Sequence, residues 1–206
     1  YQGDVLQTMA RYFGRGEGIV FYLLLLFLPP VITMRLFSDE KRKGTLEMLM
    51  SAPITDLEVV LSKYFASAVV MIALWAPSLF FFYYWASTAE GTADWGPLWA
   101  SMAGVALVSA CFLAVGLFAS VLTDEQVVSA VVAMILNTVY LGVYFLRDLN
   151  PDPAQSHGAQ LYNPVDQFAR DFSAGVFDTR HIVFYGALTL FFLFGTYKLF
   201  EGRRWS

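Results

Sequence analysis

The residues whose types and spacing suit joint chemistry lie in one polar segment, residues 38–63, between two long apolar stretches. Carboxylates, ammonium groups and a proline alternate there, without a neighbouring His or Cys. This set suits ion pairing and helix capping, whereas metal binding needs clustered His, Cys or carboxylate ligands at fixed spacings. A short polar segment in an otherwise apolar chain is suited to contact with another protein.

The composition of the chain places it among integral membrane proteins. Of its 206 residues 57% are hydrophobic and only 15% are charged, and the mean hydropathy is +0.55. Soluble domains carry about one quarter charged residues. The net charge of −4 gives no electrostatic footprint for nucleic acid. No Walker A motif and no Ser/His/Asp arrangement occurs, so we expect neither ATP binding by this chain nor enzyme activity.

Five apolar stretches meet the requirement of roughly 20 residues for a transmembrane helix. Their continuous apolar character argues against barrel strands, so the predicted fold is all-α. Because the chain begins at Tyr1 with no signal peptide, we expect a further span before it and six spans in all. We expect one membrane domain over residues 1–206, with spans at residues 18–37, 64–86, 98–122, 127–146 and 182–200.

The placement of Lys and Arg predicts the orientation. The loops on one side of the membrane hold most of these residues, including Lys41, Arg42, Lys43 and Lys63. The positive-inside rule makes this side cytoplasmic. Residues 38–63 are therefore predicted to lie in the cytoplasm, and residues 147–181 outside it.

Within residues 38–63 the pattern predicts two short helices joined by a break. Good helix formers follow Gly44 and continue to Met50, and Pro53 then forces a turn. Thr55 with Glu58 three residues later forms a capping box that restarts the helix. A rigid helix–break–helix can transmit force from a soluble partner to two spans. An interfacial hairpin that binds lipid headgroups through its basic residues is the equal alternative.

The connection at residues 147–181 is too long for a simple link and contains a second predicted helix. Asn163 is its predicted cap, and Gly175 its predicted end. Its apolar stripe includes Phe168 and Phe172. This amphipathic helix either closes the outer mouth of the protein, with Phe168, Phe172 and Gly175 as the outer gate, or merely covers the spans.

Few polar residues interrupt the apolar cores. Asn137 and Thr138 are the adjacent intramembrane polar pair, and an unpaired amide in lipid is costly. We expect Asn137 to face another helix or a dimer seam, with interhelical hydrogen bonding as the simpler explanation. The single cysteine, Cys111, lies in an apolar run and is expected to be a buried apolar residue.

The pattern E-x-x-x-G-T-x-E-x-L-x-x-x-P, followed by E-V-V-L and Lys63, resembles the cytoplasmic loop of ABC type-2 exporter permeases. The small gliding-motility and nitrous-oxide-maturation permeases are the most similar group. The stretches F-S-A-G-V-F-D at residues 172–178 and L-F-E-G-R-R-W at residues 199–205 agree with it. The likeness covers the chain from residue 18 onward.

The resemblance implies a six-span dimeric permease of the bacterial inner membrane, driven by separate cytoplasmic ATP-binding subunits that hold ATP and Mg²⁺. The second permease would be another copy or a relative, and an extracytoplasmic auxiliary protein is a further candidate partner. A non-transporting anchor that drives a partner protein and a secondary carrier are the alternatives. The residues that the resemblance assigns to ATPase coupling are Glu40, Gly44, Thr45, Glu47, Pro53, Thr55, Glu58 and Lys63.

Overall fold

The computed structural model describes residues 19–46, 54–88, 95–149, 167, 171–172, 175–176 and 178–204. These residues form helices and contain no strand, which confirms the all-α prediction. The helices are α1 (Ile19–Thr33), α2 (Ser38–Lys43), α3 (Asp56–Thr88), α4 (Trp95–Leu122), α5 (Gln126–Leu149) and α6 (Thr179–Arg204).

Helix α4 forms the centre of the bundle. It packs against α1, α3, α5 and α6, and its side chains are buried along most of its length. Val108, Cys111 and Phe112 lie in its buried core, so Cys111 is the apolar packing residue that its sequence context indicates. Helices α1, α3, α5 and α6 expose large apolar side chains on their outer faces. This arrangement is expected of a bundle whose outer solvent is lipid.

Four of the five predicted spans coincide with helical segments of membrane-spanning length. Four of the described helical segments are long and apolar enough to cross a membrane. The fifth predicted span, residues 127–146, lies within α5, whose described apolar part, Gln126–Leu141, is shorter. The structure is therefore that of an all-α integral membrane protein with four to five spans.

Helix α1 approaches α4 closely where Thr33 meets Gly116. Thr33 is fully buried, and its hydroxyl donates to the Pro29 carbonyl oxygen at 2.8 Å. A Cβ atom placed on Gly116 would lie 2.1 Å from the Thr33 hydroxyl oxygen. A residue larger than glycine at position 116 would force the Thr33 side chain or the two helices to shift.

Candidate functional site

Helix α2 opens the polar segment, and Gly44 ends the helix. Gly44 adopts a left-handed conformation with φ of 68°. Its N–H donates to the Lys41 carbonyl oxygen at 3.1 Å, and the Thr45 N–H donates to that of Glu40 at 3.0 Å. These two bonds form a Schellman motif, which glycine favours because it has no Cβ. The predicted first helix, residues 43–50, stays a prediction, because α2 ends before it at Gly44, Leu46 is again helical, and residues 47–50 lie outside the described residues.

Glu40 and Lys63 join α2 to α3. The Lys63 ammonium donates to the Glu40 carboxylate at 2.5 Å and to the Leu36 carbonyl oxygen at 2.6 Å. It also lies 4.8 Å from the centroid of the Phe37 ring, within cation–π distance. The Lys63 side chain is only 16% exposed. Both residues were predicted as coupling residues, and the structure brings them into contact with each other.

The capping box at the start of α3 is present as predicted. The Thr55 N–H donates to the Glu58 carboxylate at 2.9 Å, and the Glu58 N–H donates to the Thr55 hydroxyl oxygen at 3.3 Å. The Thr55 hydroxyl also donates to this carboxylate at 2.8 Å. The two side chains thus satisfy backbone donors that the first turn of a helix otherwise leaves unpaired.

Ser120, near the end of α4, holds the junction between α1 and α2. The N–H groups of Phe37 and Ser38 donate to its hydroxyl oxygen at 3.0 and 3.2 Å. Phe37, Ser38 and Ser120 are all fully buried. Sequence analysis missed Ser120, because a serine in an apolar helix more often bonds within its own helix.

Lys41 and Asp39 contact the turn between α4 and α5. The Lys41 ammonium donates to the carbonyl oxygens of Val121 and Thr123, the latter at 3.2 Å, and lies 3.6 Å from the Asp124 carboxylate. A cation is stabilised at a helix C-terminus, where unpaired carbonyl groups carry negative charge. The Gln126 amide donates to the Asp39 carboxylate at 2.6 Å. The sequence placed Lys41 only among the basic residues of a cytoplasmic loop.

Three predicted site residues, Glu47, Pro53 and Phe168, lie outside the described residues. The structure joins Glu40 to Lys63, and Gly44 and Thr45 end the helix that contains Glu40. The capping pair begins the helix that contains Lys63. At this end of the bundle α2 packs beside α3 and the turn before α5. The Thr45 and Glu58 side chains are exposed on this surface.

At the opposite end of α4 the Phe172 side chain is fully buried. A Cβ atom on Gly104 would lie 2.7 Å from the Phe172 ring, so the ring rests directly on the α4 backbone. The Ser101 hydroxyl donates to the Phe172 carbonyl oxygen at 3.3 Å. Gly175 has φ of 77° and forms a second Schellman motif. Its N–H donates to the Phe172 carbonyl oxygen, and the Val176 N–H donates to that of Asp171.

Helix α6 holds the same segment through two polar contacts. The Asp171 carboxylate lies 3.0 Å from His181 Nε2, and His181 is 5% exposed. The Tyr185 hydroxyl donates to the Gln167 side-chain carbonyl oxygen at 2.7 Å. Sequence analysis missed these contacts because their partners lie on different elements. Phe172 and Gly175 are thus held against α4 and α6, whether the segment is a gate or a cover.

Asn137 and Thr138 face different surroundings. Asn137 is 1% exposed, and neither atom of its amide has a hydrogen-bond partner among the described residues. Thr138 is exposed on the outer face of α5. Asn137 therefore faces the interior of its own chain, so the dimer-seam alternative does not describe this residue in the structure.

Comparison with known protein families identifies the chain. The model of a family described as "ABC-2 family transporter protein" matches residues 6–158. The chain belongs to the ABC-2 transporter family. No curated protein matches the chain.

The ABC-2 match includes helices α1–α5 and all of residues 38–63. At the level of the family, this match confirms the resemblance to ABC type-2 permeases that the polar segment suggested. The stretches at residues 172–178 and 199–205 lie beyond the matched range. The chain is thus a multi-pass membrane protein and a permease subunit of an ABC transporter.

Proposed function

We propose that this ABC-2 chain is the permease subunit of an ATP-driven exporter in the bacterial inner membrane. It pairs with a second copy or a related permease. A cytoplasmic ATP-binding subunit binds ATP and Mg²⁺ and docks on residues 38–63. ATP hydrolysis by that subunit drives export of an apolar or amphipathic substrate, or its extraction from the membrane. An extracytoplasmic auxiliary protein completes the assembly if substrate must be passed onward.

The observation that carries the proposal is the anchorage of α2. This short helix is held by the Glu40–Lys63 ion pair on one side and by the Asp39–Gln126 hydrogen bond on the other. A soluble subunit that pushes on such a helix moves the bundle, because the contacts are short and mostly shielded from water. An exposed flexible loop would absorb the same push through its own dihedral angles.

Surface chemistry beside α2 also favours docking. Arg42, Lys43, Gly44 and Thr45 are exposed around the end of the helix, and Glu58 is exposed at the start of α3. Charges of both signs at such a surface favour specific association with a complementary partner. Glu47 and Pro53 follow α2 in the chain and complete the proposed dock.

The apolar or amphipathic nature of the substrate is inferred from the spans. Their cores contain no Asp, Glu, Lys or Arg, and their polar side chains are few. A charged substrate that crosses between such helices would lose its hydration without gaining a partner. An apolar or amphipathic molecule meets no such penalty.

Capture of the ATPase tests the proposal. The full-length tagged protein is purified from its native membranes, and captured proteins are identified by mass spectrometry. We expect a subunit with a Walker A motif, and ATP turnover in the purified complex. Glu47→Arg and Pro53→Leu should lower both capture and turnover while membrane insertion stays normal. Glu47→Gln, which removes the charge without reversing it, is the matched control and should retain more of the ATPase.

Two outcomes overturn the docking assignment: a wild-type protein that captures no ATP-binding subunit, or variants that keep full capture with unchanged turnover. Export itself is measured in inverted vesicles that are incubated with a cell extract. The vesicle contents are then compared by mass spectrometry with and without ATP. ATP-dependent accumulation supports an exporter. Turnover without any accumulation favours the non-transporting anchor, and accumulation driven only by an ion gradient favours the secondary carrier.

A further inference from the structure

We propose that Asp39, Lys41, Ser120 and Gln126 form a clamp that transmits movement of α2 directly to the third and fourth spans, α4 and α5. This inference rests on the proposed function, because it assigns to named residues the path from the docking segment into the bundle. Sequence analysis connected residues 38–63 only to the spans before and after them, α1 and α3. The clamp adds a connection to the turn between α4 and α5.

Ser120 provides the first contact of the clamp. Its hydroxyl oxygen accepts from two consecutive backbone N–H groups, those of Phe37 and Ser38, at 3.0 and 3.2 Å. These donors stand at the start of α2, where backbone N–H groups lack partners within the helix. Ser120 thus caps α2 from another span. Because the three residues are fully buried, water does not compete for these bonds.

Lys41 provides the second contact and lies in the middle of α2. Its side chain is only 6% exposed. Because lysine is seldom buried without a partner, its ammonium group is expected to have one. The ammonium group is directed at the carbonyl group of Val121 in the last turn of α4, at that of Thr123 just after the helix, and at the Asp124 carboxylate. A lysine that only marks the cytoplasmic face would keep its ammonium group in water. This one instead holds the end of α4.

The Asp39–Gln126 hydrogen bond provides the third contact. Gln126 is the first residue of α5, and its amide nitrogen lies 2.6 Å from one carboxylate oxygen of Asp39. The other oxygen of Asp39 accepts from Lys43 at 2.8 Å. Asp39 is thereby held in one orientation and connects α2 to the beginning of the fourth span.

The three contacts together hold α2 to the end of α4, to the α4–α5 turn and to the start of α5. Helix α2 has six residues, less than two helical turns at about 3.6 residues per turn. Ser120 holds its start, Lys41 holds its middle, and Asp39 binds Gln126. The helix therefore cannot tilt without moving the α4–α5 turn. A displacement of α2 by the ATPase is therefore passed to α4, which packs on four other helices.

Distance measurements in the full permease–ATPase complex test the clamp. In a Cys111→Ser background, nitroxide labels are placed on Arg42 and Glu125, which are both exposed, and the complex is studied in nanodiscs. A second pair, on Arg42 and Val183 at the far end of α6, reports movement of α2 relative to the rest of the bundle. Both pairs are measured without nucleotide and with ATP plus vanadate.

We expect the 42–125 distance to stay the same in both nucleotide states while the 42–183 distance changes. If both distances change by a similar amount, the clamp is overturned and the docking proposal stands. If the ATPase is bound but neither distance changes, α2 does not move relative to the far end of α6 with nucleotide. That result overturns the clamp as a path of movement within the bundle.

Substitutions separate transmission from simple stability. Gln126→Glu places a carboxylate opposite Asp39 and should make the 42–125 distance nucleotide-dependent, with a loss of ATP turnover per complex. Adding Asp39→Asn restores a donor–acceptor pair and should restore both readouts. Lys198→Gln breaks the exposed Lys198–Glu201 pair of α6 instead and should leave the 42–125 distance constant. An unchanged 42–125 distance in Gln126→Glu, or no recovery in the double variant, overturns the role of this pair.

Discussion

The Lys63 ammonium donates to the Glu40 carboxylate at 2.5 Å although the two residues are 23 positions apart. The pair closes the polar segment at its two ends, because Glu40 lies in α2 and Lys63 in α3. The described ends of residues 38–63, α2 and the first turns of α3, are therefore held to each other.

Breaking the Glu40–Lys63 pair should destabilise the protein. Lys63→Met leaves a half-buried carboxylate without its cation, and Glu40→Gln leaves the buried ammonium without its anion. Hydrogen bonds to charged groups contribute about 1.5–3 kcal/mol, which partial exposure reduces toward the lower end. We expect a lower melting temperature of the detergent-solubilised protein, followed by tryptophan fluorescence.

The more exposed pair Lys198–Glu201 is the control for this experiment. Lys198→Met should change stability less than Lys63→Met does, because water screens an exposed pair. The charge swap Glu40→Lys with Lys63→Glu should regain part of the loss. Equal melting temperatures for Lys63→Met and Lys198→Met would contradict a stabilising role of the Glu40–Lys63 pair.

The contact between Gly116 and Thr33 predicts an overpacking defect. Gly116→Ala places a methyl group against the Thr33 hydroxyl oxygen, so either the Thr33 side chain or the two helices must shift. Overpacking of this kind costs about 1–3 kcal/mol. Gly186→Ala in α6 meets nothing within 4 Å and should be neutral or stabilising, since alanine favours helix.

Removal of the Thr33 hydroxyl should relieve this defect. Thr33→Ala in the Gly116→Ala background takes away the clashing oxygen, and we expect partial recovery of the melting temperature. If Gly116→Ala proves as stable as Gly186→Ala, the close approach of α1 to α4 is not required for the fold.

The burial of Phe172 predicts a large effect of its truncation. Phe172→Ala removes a fully buried ring that rests on Gly104, a change that costs about 3–5 kcal/mol in a well-packed core. Thermal unfolding measures this loss, and Phe172→Leu should lose less. A melting temperature unchanged by Phe172→Ala would contradict the packing of this ring on α4.

The gate and cover explanations for Phe168 and Phe172 differ in transport. If these residues form the outer gate, their double substitution by Asp should leave ATP hydrolysis running while directional transport falls. If they only cover the spans, yield and stability fall while transport per folded molecule is kept. Transport normalised to folded protein in vesicles decides between the two.

The predicted orientation is tested by cysteine labelling. In a Cys111→Ser background, Ser156→Cys should react with an impermeant maleimide on intact cells. Ser51→Cys should react only after lysis, because residues 38–63 are predicted to lie in the cytoplasm. The reverse labelling pattern would place residues 38–63 outside and remove their coupling role.

Some features of this protein follow from its sequence alone. Long apolar stretches without charge determine membrane helices, because lipid offers no partner for an unpaired backbone group. The Thr55–Glu58 capping box and the helix stop at Gly175 also follow from local chemistry. Each of these features depends on residues only a few positions apart, so the local pattern contains the information.

Tertiary structure decided what the polar residues of α2 do. In the sequence Lys41 and Lys43 are neighbours in one basic run, yet Lys41 is buried against the end of α4 while Lys43 stays exposed. Ser120 and Gln126 showed no signal, since their partners lie more than 80 positions away in the chain. Burial and pairing at such separations depend on how α1, α4 and α5 pack together. Local periodicity therefore cannot predict them.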